Sequence, residues 1–430
     1  MGYQNFRRTR IDPLPVEYPG VHGMGEEEVE AALRVCRSKS LYRYYGIHLQ
    51  QEVSAFEREF GNFLGIRHVV AVTSGTSALH TALSALRVGP GCEVIVPAFM
   101  WVSVIAAVVN AGAIPVLADI DETFCLDPAD VRRKITPRTA GIIVAHMSGA
   151  PAAIEELVAV ARDHNLFVVE DCAQCVGGSV NGKSVGTFGD IGIFSFQMNK
   201  NMSSGEGGAI VTNNELLYRK ATAGQDIGFS QDQNGMPVAD DIESLTWGRG
   251  CRLDELRAAI LRVQLMKLPD TIDGMRRSKY RIRRFLESRP EVALRRIQDP
   301  AGDTGCALIT TFTDAEMARN VNQNLRLLGI CTASPDTSNV ILADFGLHIY
   351  YNIPLLVRKI GTDHRGAPWT LSENQSSVYE YGKGACPRAD DLFERSQLLT
   401  IPPCLTGADE CQIIDAFEQV LDATLSPTPS

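Results

Sequence analysis

LFVVEDCAQCVGGSVNGKSVGTFGDIGIFSFQMNK, residues 166–200, is the stretch from which the fold can be read. It opens on the clearest short apolar run in the chain, Leu166 to Val169, closed by Glu170 and Asp171. A run this short, without alternation and bounded by polar residues, reads as a strand buried on both faces. A second such run, Asp190 to Phe196, leads into a polar loop carrying Lys200. The glycine-rich turn GEGG (205–208) then returns the chain to a third run, Ala209 to Val211.

Towards the N-terminus the same rhythm continues. His68–Val72 is followed by the helix-prone ALHTALSAL (78–86), and Glu93–Val96, Pro115–Leu117 and Gly141–Val144 read as further buried strands with helix-like segments between them. Short apolar strands alternating with helices predict an α/β fold with a mostly parallel sheet covered on both faces. Before the sheet, Pro13, Pro15 and Pro19 keep the chain extended, and residues 26–36 and 51–63 repeat apolar positions at helical spacing. After Thr246 the character changes. Leu253, Leu256, Ile260 and Val263 step by three and four along one helix face, and Pro269 is expected to end that helix. Beyond it strands are fewer, and residues 358–384, rich in Gly, Ser, Asn and Lys, read as a long loop. These features predict two domains, a large one over residues 1–270 and a smaller α+β one over 271–430.

The 430 residues are 45% hydrophobic and 21% charged, which excludes wholesale disorder. Against 51 acidic residues stand 41 basic ones, a net charge of −10. That balance argues against general affinity for nucleic acid or anionic membranes. The one basic run, Arg276 to Arg284, reads as a solvated helix face. No stretch has the length and apolarity of a membrane span, and the opening MGYQNFRRTR lacks an apolar signal core; Phe6 stands where a myristoylation signal needs Ser or Thr. Eleven cysteines scattered without a framework read as reduced thiols of a cytoplasmic protein.

GGSVNGKS (177–184) matches the phosphate-binding P-loop pattern, but a strand pattern follows it where the mechanism needs a helix, so the match is accidental. Cys172 and Cys175 form a lone C-x-x-C and read as small buried thiols; the eight histidines show no metal spacing. Three other segments gain meaning together. Thr73-Ser74-Gly75-Thr76-Ser77, between a strand and a helix, offers N–H groups and hydroxyls for an anion, or simply caps the helix. Asp171 stands at the carboxyl end of a strand, the edge where open α/β sheets bind ligands. Lys200 is either an exposed loop lysine or a Schiff-base lysine. An anion cradle, a carboxylate and a lysine on one sheet edge are what pyridoxal 5′-phosphate requires.

SGTSAL (74–79), VVEDCAQ (168–174), FSFQMNK (194–200) and GEGGAIVT (205–212), in this order and spacing, resemble the DegT/StrS-type aminotransferases, fold-type I pyridoxal-phosphate enzymes acting on keto sugars and keto cyclitols. The resemblance runs from about residue 24 to 270 and more loosely to CPRADDLFERSQLLTIPP (386–403). It implies that Lys200 is the Schiff-base lysine and proton shuttle. Asp171 would pair with the ring nitrogen, Gln174 sit by the phenolic oxygen, Gly75, Thr76 and Ser195 hold the phosphate, and Trp101 stack on the ring, unless Trp101 is ordinary core packing. Two departures stand out. Gly250 in GRGCRLDEL (248–256) replaces an Asn that reaches the neighbouring subunit's cofactor, leaving backbone N–H, Arg249 or Arg252 for that contact. IYYNIPLLVRK (349–359) lacks the PLH ending of the nucleotide-sugar members.

The resemblance therefore implies a homodimeric aminotransferase that takes an amino group from an amino acid, Glu or Gln, through pyridoxamine 5′-phosphate to a small-molecule keto substrate. That substrate is expected to be a free cyclitol, sugar or other cyclic ketone of specialised, for example antibiotic, biosynthesis. His348, Tyr350, Tyr351 and Asn352 form the local cluster expected to hydrogen-bond a hydroxylated ring, and Arg358, Arg365 and Arg388 are candidates for the donor's carboxylate. The rival readings are a pyridoxal-phosphate lyase, dehydratase or aromatising enzyme, and a non-catalytic relative.

Overall fold

The computed structural model describes residues 13–232, 235–333 and 338–425. The opening decapeptide, read above as lacking a targeting signal, lies outside the described residues.

Seven strands form the central sheet: β1 (His68–Val72), β2 (Glu93–Pro97), β3 (Ile114–Ala118), β4 (Thr139–Ala145), β5 (Phe167–Asp171), β6 (Ile191–Ser195) and β7 (Gly208–Thr212). Their order is β1-β7-β6-β5-β4-β2-β3, and only β7 runs antiparallel to its neighbours. All seven coincide with the apolar runs of the sequence. Nearly every residue in them is buried, because helices such as Gly75–Ala85, Ile154–Asp163 and Glu215–Gln225 cover the faces. In register, Ala145 pairs with Asp171 and Asp171 with Ile193, so the ends of β4, β5 and β6 come level at one edge.

The P-loop look-alike folds as a tight hairpin, Ser179–Val180 against Lys183–Ser184, with no helix after it.

One expectation about the second half fails. The helix Glu255–Leu286 runs straight through Pro269, which lies on its solvent-facing side. Losing one hydrogen bond there costs about 3 kcal/mol. Leu261, Leu268, Ile272, Met275, Ile282 and Leu286 are buried along the other face, each contributing roughly 1.5–3 kcal/mol, so packing outweighs the proline. Residue 270 therefore lies inside a continuous helix. Beyond it, a four-stranded sheet orders Ala293–Leu294, Ala307–Thr311, Ser396–Thr400 and Asn339–Ile341. The 358–384 stretch has no strand and only short helical turns, but it is anchored to the first sheet: Tyr381 donates to the Pro115 carbonyl at 2.8 Å and Asn374 to that of Gly112 at 3.0 Å.

Candidate active site

A cavity of about 660 Å³ opens at the carboxyl ends of β4, β5 and β6, within the range of small-molecule sites. Its wall at one end is the N-terminus of the 75–85 helix. Ser74 caps that helix, its hydroxyl accepting from Ser77 N–H at 3.0 Å, and the first-turn N–H groups of Gly75 and Thr76 have no carbonyl within the helix to donate to. Ser195, the last residue of β6, closes this cradle. A Cβ on Gly75 would sit 2.8 Å from the Ser195 Cβ, and one on Gly208 would sit 2.5 Å from the Ser74 carbonyl. Only glycines let the three segments meet here.

Asp171 is buried at the end of β5, its Oδ1 accepting from Ala173 N–H at 3.0 Å. Burial raises its carboxyl above the usual range, opposed by that N–H and by Lys200. Lys200 shows the reverse: burial lowers its amine below the ordinary lysine value, and Asp171 pulls it back up. The polar turn after β6 holds the lysine in place through Lys200 N–H to Gln197 O at 3.0 Å, and Gly20 N–H donates to the Lys200 carbonyl at 3.0 Å. Gln174 has its Oε1 fixed by Ser148 N–H at 3.0 Å, leaving its NH₂ as a donor. Arg295, fully buried, braces that turn by donating to the carbonyls of Thr123 at 2.6 Å and Ser148 at 3.3 Å.

Of the residues singled out in the sequence, the cavity gathers Gly75, Thr76, Trp101, Asp171, Gln174, Ser195, Lys200 and His348. Trp101 is 43% exposed, with its ring 4.8 Å from that of His348, so it is a wall of the cavity rather than core. His348 also stacks on Phe345 at 4.1 Å, and burial, helped by the charge of Lys200, lowers its pKa to about 4. Tyr350, Tyr351 and Asn352 are not brought to the cavity. Tyr350 is fully buried and donates to Asp390 at 2.8 Å, Tyr351 packs on Tyr350 and Phe393, and Asn352 donates to the Ala343 carbonyl at 2.9 Å. The arginines proposed for a carboxylate are also elsewhere. Arg358 and Arg365 are exposed outside the cavity, and Arg388 is engaged by Glu122 at 2.5 Å and Asp127 at 3.2 Å. Gly250 adopts φ +65° with open space around it.

Sequence reasoning missed His146, Ser103, Asn199, Glu206 and Arg257, which also line the cavity. His146 carried a legible signal, since it follows an apolar run ending at the same sheet edge. Its Nδ1 accepts from Ala152 N–H at 3.0 Å, so Nε2 carries the proton and donates to Glu170 at 3.1 Å. Glu170 also accepts from Gly186, Phe188 and Gly189 N–H groups at 2.7–2.8 Å. His146, Glu170 and Cys172 cluster closely enough to hold a metal, but this carboxylate is already saturated by the backbone. Its role is to fix the β5 edge.

A family profile described as the DegT/DnrJ/EryC1/StrS aminotransferase family matches residues 23–333. The chain belongs to that family. Among curated relatives, a UDP-N-acetyl-3-dehydro-alpha-D-glucosamine 3-aminotransferase of Acidithiobacillus ferrooxidans is 42% identical over 226 residues, 52% of this chain and 59% of that one. An L-glutamine:2-deoxy-scyllo-inosose aminotransferase of Streptoalloteichus tenebrarius is 37% identical over 282 residues, 64% of this chain and 65% of that one. The chain thus spans less than two thirds of the length of these relatives. Among solved structures, 3-amino-5-hydroxybenzoic acid synthase superposes with a TM-score of 0.77 at 27% identity, covering 96% of this chain and 99% of that one. The fold is that of fold-type I pyridoxal-phosphate aminotransferases, and the cofactor of the DegT/DnrJ/EryC1/StrS family is pyridoxal 5′-phosphate. The residues here fit it: a cradle that a single added Cβ would fill, a buried carboxylate, and a lysine whose amine is shifted towards its neutral form.

Proposed function

We propose that this protein is a pyridoxal-phosphate-dependent aminotransferase that moves an amino group from an amino acid, Glu or Gln, to a cyclic ketone of the keto-cyclitol or keto-sugar class in specialised metabolism. The observation that carries the reading is the placing of Lys200 and Asp171 on the wall of one cavity whose end is the Gly75–Thr76–Ser195 cradle. When bound, pyridoxal phosphate supplies a carbonyl for imine exchange and a conjugated ring that accepts negative charge. Gly75 and Thr76 N–H groups and the Ser195 hydroxyl would hold its phosphate. Asp171 would hold a proton at the ring nitrogen, and the Gln174 NH₂ would donate to the phenolic oxygen. Trp101 would cover the ring face. Lys200 Nζ, kept towards the neutral amine by burial, would act first as the nucleophile towards the cofactor's carbonyl and then as the base that takes the donor's Cα proton and delivers it to the cofactor's former carbonyl carbon, so that the donor leaves as its oxo acid.

For the ketone we favour a free ring over a nucleotide-linked one. Beyond Lys200 the cavity continues into a recess of about 110 Å³ bordered by Phe345, Leu398, Ile401 and Pro402. The preference rests on residues 349–359, IYYNIPLLVRK, which lack the PLH ending of the nucleotide-sugar members.

The functional unit we propose is a cytoplasmic homodimer, with residues 1–270 carrying the cofactor and 271–430 completing the pocket through His348. Support for the dimer comes from exposed apolar side chains on two neighbouring segments. Tyr45 and Ile47 lie on one, and Ile227, Met236, Ile242 and Trp247, the last 93% exposed, lie on the other. Gln225 Nε2 donates to Tyr44 Oη at 2.7 Å and the Arg252 guanidinium lies 5.5 Å over the Tyr42 ring, which ties the two segments together. Exposed large apolar side chains gathered on neighbouring segments are what a protein interface would cover.

Half-reactions test the function. The loaded enzyme is mixed with single amino acids, and pyridoxamine 5′-phosphate and the oxo acid are quantified. Stoichiometric conversion by Glu or Gln is expected; no conversion across the panel refutes the reading.

A further inference from the structure

The proposed reaction brings two anions into the cavity, the cofactor's phosphate and the donor's α-carboxylate. A phosphate monoester carries about 1.5–2 negative charges at neutral pH, yet the donors of the cradle are all neutral. Glu206 also lines the cavity and adds a carboxylate. Apart from Lys200, whose amine is used in the chemistry, Arg257 is the one Lys or Arg side chain among the described residues lining the cavity.

Its position ties it to the phosphate end. Arg257 stands in the first turn of the 255–286 helix, and the segment feeding that helix lies against the start of the cradle. Thr73 N–H donates to the Cys251 carbonyl at 2.9 Å, and Val72 bridges to Arg252. Asp254 holds Arg257 twice, accepting from its backbone N–H at 2.9 Å and approaching Nη1 at 3.3 Å. Both side chains are 38% exposed, so this ion pair is weak, and the remaining guanidinium N–H groups are available to an anion.

We propose that Arg257 is a cofactor-binding residue that supplies the cationic contact to the pyridoxal-phosphate phosphate from within the same chain, with Asp254 as its positioning residue. The inference rests on the pyridoxal-phosphate reading above. A guanidinium is suited to the task because its planar fork meets two phosphate oxygens at once.

Equilibrium titration of the apoprotein with pyridoxal phosphate and, separately, with pyridoxal tests it, since the two differ only in the phosphate. R257Q and R257A should weaken pyridoxal phosphate roughly 10- to 100-fold and leave pyridoxal unchanged. R257K should recover part of the loss, and inorganic phosphate should compete less well in R257Q than in the parent. Equal weakening of both ligands makes Arg257 merely structural and overturns the proposal. Unchanged pyridoxal-phosphate affinity with a raised KM for the amino donor assigns the guanidinium to the carboxylate and also overturns it. A parent apoprotein that binds neither ligand refutes the cofactor reading itself, a result distinguishable from both.

Discussion

Replacing Gly75 with Ala tests the cradle at its tightest point. The new Cβ would lie 2.8 Å from the Ser195 Cβ and 3.3 Å from its Oγ. Carbon atoms in contact settle at about 3.5–4.0 Å, so roughly 0.7–1.2 Å must be found. Neither side can yield cheaply: Ser195 is buried at the end of β6, paired with Gly208, and Gly75 opens a helix packed beneath. Overpacking of this kind costs about 1–3 kcal/mol. The relief available is to push the Ser195 hydroxyl away from the phosphate position, losing a charge-assisted hydrogen bond of about 1.5–3 kcal/mol, or roughly 10- to 150-fold in affinity. Pyridoxal-phosphate titration of the apoprotein, with thermal unfolding in parallel, reads both effects. Gly382→Ala serves as control, because a Cβ there meets nothing within 4 Å and the backbone is not in the left-handed region. If Gly75→Ala binds the cofactor as the parent does and melts at the same temperature, the cradle is misplaced.

Asp171→Asn should lower kcat roughly 10- to 1000-fold while weakening cofactor affinity much less, because the carboxylate matters most when the ring carries charge; a loss confined to affinity would make Asp171 an anchor. His348 has its pKa lowered to about 4, chiefly by burial, so its imidazole is neutral at and above about pH 5.5. The unfolded state binds this proton more readily, so the residue's linked stability falls as pH drops from about 6.5 towards 4, and kcat/KM should show no step near pH 6.5. A step there that vanishes in His348→Gln would contradict the buried placement. Trp247→Glu combined with Ile242→Asp should convert a dimer to monomer with loss of turnover, read by sedimentation; a fully active monomeric parent would remove the dimer from the account.

What the sequence made legible follows from which interactions are local. The seven sheet strands were readable because burial on both faces leaves an uninterrupted apolar run, and the edge residues Asp171, Ser195 and Lys200 follow from where those runs stop. The helix through Pro269 was not readable, since a local rule about proline was overridden by side chains packing from both sides of it. The 348–352 cluster failed for a similar reason. His348, Tyr350, Tyr351 and Asn352 fall on short 3₁₀ turns, and only the tertiary partners Asp390, Phe393 and Ala343 decide that His348 reaches the cavity while its neighbours do not. Arg257 carried no local mark at all. It reads as one more arginine on an amphipathic helix until the Thr73–Cys251 contact sets that helix beside the cradle.

The central claim is that Lys200 is the residue that joins the cofactor. Apoprotein is loaded with pyridoxal phosphate, reduced with borohydride, digested, and the peptides are sequenced by mass spectrometry. The account predicts an absorbance band near about 410–430 nm before reduction and a phosphopyridoxyl group on Lys200 afterwards, both absent from Lys200→Ala. Labelling of another lysine at full occupancy, or an unlabelled Lys200 in an enzyme that turns over, would contradict it.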